Sequence, residues 1–138
     1  MPIQIRARSR REEAFRHVIR MRDHEIVVDE PTELGGGDAA PTPQELLAAS
    51  LAGCTAITLQ MYAQRKGWDI GDLEVECHQR PAERGRPTAF EVTLRVDESL
   101  TDEQVDRLRV IATKCPVHRI LDGEVMFDER VERVGSPR

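Results

Sequence analysis

Two cysteines stand out by their surroundings. Cys54 closes the most apolar stretch of the chain, Leu46-Leu47-Ala48-Ala49-Ser50-Leu51-Ala52-Gly53-Cys54, and Cys115 opens the step Cys115-Pro116-Val117-His118. The chemistry open to them is thiolate chemistry, and a free cysteine with a pKa of about 8.5 is only slightly ionised at neutral pH. Burial within a helix lowers that fraction further, because desolvation disfavours charge. A cation must therefore approach, and lowering a thiol by two units corresponds to roughly 2.7 kcal/mol, within reach of one partly buried guanidinium. Arg22 and Arg20 are the candidates, and each needs an acceptor to hold it. On spacing alone, Cys54 also fits an inert core thiol.

The remaining chemistry-bearing residues have simpler readings. Cys77 alternates with polar neighbours as a strand core residue. His24 beside a turn and His118 after the Cys-Pro step read as surface or supporting residues. Cys54, Cys115, His24 and His118 have the right types for zinc, but a single Cys-x-x-His without a second close pair gives no metal-site spacing, and no metal or other cofactor is expected. Trp68 and Asp69 follow a helix stop and read as packing its end.

The chain has 138 residues, three cysteines and a net charge of -5. That length buries about two-thirds of the unfolded surface, so neither disulfide nor metal is required for folding. An odd number of thiols is not an extracellular disulfide framework. The negative balance opposes binding to nucleic acid, although Arg6, Arg8, Arg10, Arg11, Arg16, Arg20 and Arg22 make the first segment basic, as a solvated edge strand would be. No apolar run approaches the ~20 residues of a membrane span and the first residues lack an apolar signal core, so a cytoplasmic protein without a membrane partner is expected. Gly35-Gly36-Gly37-Asp38 lacks the following Gly-Lys-Ser/Thr of a phosphate loop.

These residues must be positioned by an α+β fold with an antiparallel sheet, a long buried central helix and a second helix. N-terminal strands over about 1–30 are read from the alternation of Ile3, Ile5 and Ala7, then Phe15, His17, Ile19 and Met21, then Ile26 and Val28 after a turn at Arg22-Asp23-His24. A Gly/Pro loop over 31–42 follows. The central helix over about 43–66 has Thr42 as cap, Pro43 in its first turn, Glu45 completing a capping box and Gly67 as terminator. Its apolar residues cover more than one stripe, which makes it central. Strands through Leu73, Val75 and Cys77 and through Phe90, Val92, Leu94 and Val96 come next. A helix capped by Thr101 with Gln104 ends near Lys114, because Pro116 disfavours helical geometry at Cys115. A last strand runs through Val125, Phe127 and Val131. The whole, 1–138, reads as one domain, its C-terminal strands and helix occupying 67–134.

The run from Asp29-Glu30-Pro31 through Gly35-Gly36 and Pro41 to Thr55, together with Cys115-Pro116-Val117-His118, resembles the OsmC/Ohr family of osmotically inducible and organic hydroperoxide resistance proteins, in its OsmC-like branch. The resemblance spans about Phe15 to Val134. It implies an intertwined homodimer with central helices between antiparallel sheets, and thiol-based reduction of small organic hydroperoxides. Cys54 matches the attacking thiol, which becomes a sulfenic acid, and Cys115 the resolving thiol that condenses with it to a disulfide. A dithiol reductant of lipoyl type is implied as partner. The family's helix carries a glutamate ten positions before the attacking cysteine, which orients the activating arginine; here that position is Gln44, which accepts a hydrogen bond but brings no charge. Glu45 is adjacent, about 100° further around the helix. Arg22 lies where the family's arginine is expected. The same scaffold without catalysis implies an apolar-ligand binder or a thiol redox sensor.

Overall fold

In the computed structural model, which describes residues 4–135, three N-terminal strands pair antiparallel in the order β1 (Arg8–Glu13), β2 (Arg16–Met21) and β3 (His24–Val28). Of the residues read as the first strand, Ile3 lies outside the described residues, whereas Ile5 and Ala7 precede β1 without regular structure. Phe15 falls in the β1–β2 turn beside Ala14, which has a φ of 50°. The expected second turn is made by Arg22 and Asp23, and His24 already pairs with Met21. The two edge strands thereby bring Arg8, Arg10, Arg11, Glu12, Glu13 and Glu25 to solvent while β2 stays mostly half-buried between them.

Residues 29–42 form a built loop. The buried Asp29 carboxylate accepts from the amides of Glu30 at 2.8 Å and Ala39 at 3.1 Å, and its own amide donates to Pro41 O at 3.1 Å. Gly36 is required by close approach, since a Cβ there would overlap the Glu30 carbonyl. This clamp fixes the entry to α1 (Pro43–Lys66), where Thr42 and Glu45 form the expected capping box and Gly67 closes the helix at a φ of 71°.

Leu51, Thr55, Leu59 and Ala63 are the buried residues of α1, one stripe at four-residue spacing. The helix was expected to be buried on more than one side. Instead Ile57 and Met61 are each 58 % exposed, because β4, α2 and α3 cover one face and, among the described residues, the other is left open. By length and apolarity α1 also suits a bilayer, contrary to the reading that no run approaches that length. Its buried stripe packs against protein.

The second sheet pairs β4 (Glu74–Arg80) with β5 (Ala89–Arg95), Cys77 opposite Val92. α2 (Asp102–Ala112) has the expected Thr101–Gln104 capping box and presents Leu108 and Ile111 to the core around Leu59, Ala63 and Ile70. Trp68 packs edge-on to Tyr62 at the end of α1, with centroids 5.6 Å apart. α2 ends before Pro116 as expected, and beyond it come one element not foreseen and one expectation that fails. The element not foreseen is α3 (Pro116–Leu121), which Pro116 starts at its first position, where the missing N–H costs nothing. The expected last strand is absent: residues 124–135 have no regular structure, and Phe127 and Val131 are 83 % and 95 % exposed. A strand needs a neighbour for its backbone groups, and none is within reach along the described residues.

Candidate active site

α3 brings the two thiols together. Cys115 is its N-cap, fully buried, and its Sγ accepts from the His118 amide at 3.2 Å. The preceding amide, Val117 N, donates to Cys54 Sγ at 3.5 Å. Consecutive N–H groups of one helical turn thus each hold one sulfur, although the cysteines belong to different elements. The Thr55 hydroxyl, also buried, donates to Cys115 Sγ at 3.7 Å. Both cysteines are free thiols.

Burial pushes the Cys54 thiol above its ordinary value, and the neighbouring Cys115 adds to that, while the Val117 amide and the Thr58 hydroxyl oppose it by favouring the thiolate. Among the described residues, no guanidinium is one of the main groups acting on it. Arg22 sits in left-handed conformation at the β2–β3 turn, with a φ of 54°. Its rival Arg20 is paired with Glu25 at 2.7 Å. The sheet that carries both makes no packing against α1 comparable to that of β4.

Gln44 and Glu45 stand in the first turn of α1, lining a groove with Cys77 and His78 rather than the cysteine pair. Glu45 Oε1 accepts from Thr42 N at 2.9 Å, so its carboxylate serves the helix end. Cys77 is half-buried, and burial raises its thiol. His24 opens β3 in solvent. Among the described residues, no three His, Cys, Asp or Glu side chains are grouped to hold a metal ion.

Two cavities meet at His118, and neither is lined by Cys54 or Cys115. One of about 500 Å³ lies between β5 and α2, lined by Leu94, Val105, Leu108 and Arg109, and reaches Thr55. Another of about 580 Å³ is lined by Leu47, Leu51, Leu121 and Asp122. Phe90, Val92 and His118 line both. His118 was read from sequence as a surface or supporting residue. Its place follows from α3: with Cys115 as cap and Pro116 at the first position, the third residue of the turn faces β5, and the Cys-Pro-x-His spacing was the available signal.

The family model described as OsmC-like protein matches residues 35–130. The chain belongs to the OsmC-like family. Solved OsmC-family structures share its fold. A Psychrobacter arcticus protein assigned to osmotic stress induction and detoxification response is 22 % identical, with a TM-score of 0.74 over 87 % of this chain and 90 % of that one. The OsmC like protein of Mycoplasma pneumoniae is 15 % identical, with a TM-score of 0.72 over 89 % and 90 %. The organic hydroperoxide resistance protein OhrB of Bacillus subtilis is 21 % identical, with a TM-score of 0.61 over 88 % and 92 %. No curated protein matches the sequence. Membership in the OsmC-like family and the α+β architecture with antiparallel sheets agree with the resemblance seen in the sequence.

Proposed function

We propose that this OsmC-like protein is a cytoplasmic thiol peroxidase that reduces small organic hydroperoxides. The observation that carries the reading is the pairing of Cys54 and Cys115 on consecutive amides of α3. The Cys54 thiolate attacks the terminal peroxide oxygen; an S–O bond forms, the O–O bond breaks, and the alkoxide leaves as the alcohol after taking one proton. Cys115 then attacks the sulfenic acid, forming the disulfide and releasing water. A dithiol of lipoyl type reduces that disulfide by exchange. The neutral Val117 amide and Thr58 hydroxyl offset only part of the burial that raises Cys54. In this reading the cation is Arg22 of a second copy in a homodimer, with Gln44 as its uncharged acceptor and Glu45 kept as cap.

One equivalent of an organic hydroperoxide added to the reduced protein tests this by mass. The expected result is loss of two hydrogens from the wild type, and a stable sulfenic or overoxidised Cys54 in Cys115→Ser. Intact thiols at low excess would remove the peroxidase. The cavity of about 500 Å³ between β5 and α2, lined by Leu94, Val105 and Leu108, would then favour an apolar-ligand binder. Disulfide formation without repeated turnover would make the chain a redox sensor.

A further inference from the structure

A disulfide between Cys54 and Cys115 offers two sulfurs, and a thiolate that reduces it must take one and expel the other. Which one is taken depends on access, and how fast the other departs depends on how well its negative charge is received.

The two sulfurs differ in access. Cys115 is 0 % exposed, so a thiolate reaches it only by displacing the side chains packed around it. Cys54 is half-buried and stands beside Gly53, where an added Cβ would meet open space. Whatever route admits a hydroperoxide to Cys54 also admits a thiolate there. The reduced arrangement of the pair is the product of the step, so the donors now on Cys115 are those that receive it as it departs. Cys115 Sγ accepts from the His118 amide at 3.2 Å and from the Thr55 hydroxyl at 3.7 Å. Thr55 is itself only 1 % exposed. A thiolate expelled into a site closed to water needs such donors, because an unpaired buried charge is costly. Cys54 has comparable donors in the Val117 amide and the Thr58 hydroxyl. Access therefore decides which sulfur is taken, and Thr55 serves the one that leaves.

Resting on the peroxidase reading, we infer that the reductant bonds first to Cys54 and that Thr55 positions Cys115 as the leaving thiolate. One thiol of the dithiol gives up its proton and attacks Cys54 Sγ. The bond to Cys115 breaks, its electron pair stays on Cys115 Sγ, and that sulfur takes up a proton in place of the one released. The second thiol then attacks the reductant sulfur held on Cys54, Cys54 leaves and is protonated, and the reductant departs as a cyclic disulfide. The protein gains the two thiols that the dithiol loses.

Peptide mapping reads the first bond. Protein carrying the Cys54–Cys115 disulfide is mixed with excess 2-mercaptoethanol, quenched in acid before reduction is complete, digested with pepsin and weighed. The adduct should be on Cys54; an adduct on Cys115, or on both alike, would overturn the inference. The rate of reduction by dithiothreitol reads the leaving group. Thr55→Val keeps the shape and loses the hydroxyl, and should slow reduction by about tenfold, the usual worth of a hydrogen bond to a charged acceptor. Thr55→Ser keeps the hydroxyl and should recover most of the wild-type rate. A valine variant as fast as wild type, or a serine variant as slow as the valine one, would overturn the role, the second marking Thr55 as a packing residue. Preparing the disulfide with both an organic hydroperoxide and diamide separates the two claims. A disulfide formed by diamide alone would overturn the peroxidase reading by itself, and none with either oxidant would overturn both.

Discussion

Asp29 shows how one buried carboxylate organises a segment that contains no catalytic group. Hydrogen bonds from the Ala39 and Glu30 amides, then Gly37 and the charge of Arg16, hold it below the usual carboxylate range, against a smaller opposing effect of burial. A depressed carboxyl binds fewer protons in the fold than in the unfolded chain, so its contribution is present above the ordinary aspartate pKa of about 3.9 and is lost as pH falls through the folded value. Melting temperature should therefore drop on acidification below about pH 4. Asp29→Asn should melt lower than wild type at pH 7, with the difference shrinking toward pH 3. Thermal unfolding of both proteins across that range checks this; a constant difference would mean that the charge of Asp29 is not what matters. At the same scale, Cys115 combines two roles, closing a helix end with its sulfur and standing beside Cys54. A residue type rarely found as a cap is here spent on one because the sulfur must also be at that place.

At the scale of elements, α1 is held at both ends by local chemistry. Thr42 Oγ1 accepts from Glu45 N at 3.1 Å while Glu45 returns the bond to Thr42 N, and Gly67 turns the chain out. Thr42→Ala should destabilise the protein by about 1 kcal/mol, the ordinary worth of such a cap. Denaturant unfolding with an unchanged slope checks it, and an effect near zero would show that the Asp29 loop alone fixes the entry. α3 is too short to stand alone and has no buried residue of its own. Its position comes from the cap at Cys115 and its contact with α1, which is why Cys115 and the amide that holds Cys54 Sγ stand together.

At the scale of the whole molecule, apolar surface stays uncovered among the described residues. Ile57 and Met61 on the open side of α1 are each 58 % exposed, and Val125, Met126 and Phe127 are 52 %, 92 % and 83 % exposed in the unpaired tail. Single exposed apolar residues are ordinary, but a helix side and a tail together exceed what a monomer usually shows. A homodimer that covers them is the arrangement proposed here, and it also gives the tail a strand partner. Ile57→Glu should shift the protein toward monomer by placing an unpaired charge in that contact. Sedimentation velocity over a concentration series checks this, and a wild-type protein that is monomeric throughout would remove the dimer from the proposal.

The sequence by itself determined what local bonding and periodicity decide. Both capping boxes, the bounds of α1, the alternation of β4 and β5 and the family were legible, because each rests on residues within a few positions of one another or on a contiguous motif. Tertiary structure decided what depends on partners distant along the chain. Cys115 as the cap of an added helix, the meeting of both thiols on neighbouring amides and the two-sided place of His118 all follow from α3 docking on α1. The failure of Val125, Phe127 and Val131 to form a strand has the same origin, since alternation marks a segment able to pair but cannot supply the neighbouring backbone. Arg22, read as the activating cation, likewise has its distance from Cys54 set by how sheets and helices assemble, which no spacing along the chain encodes.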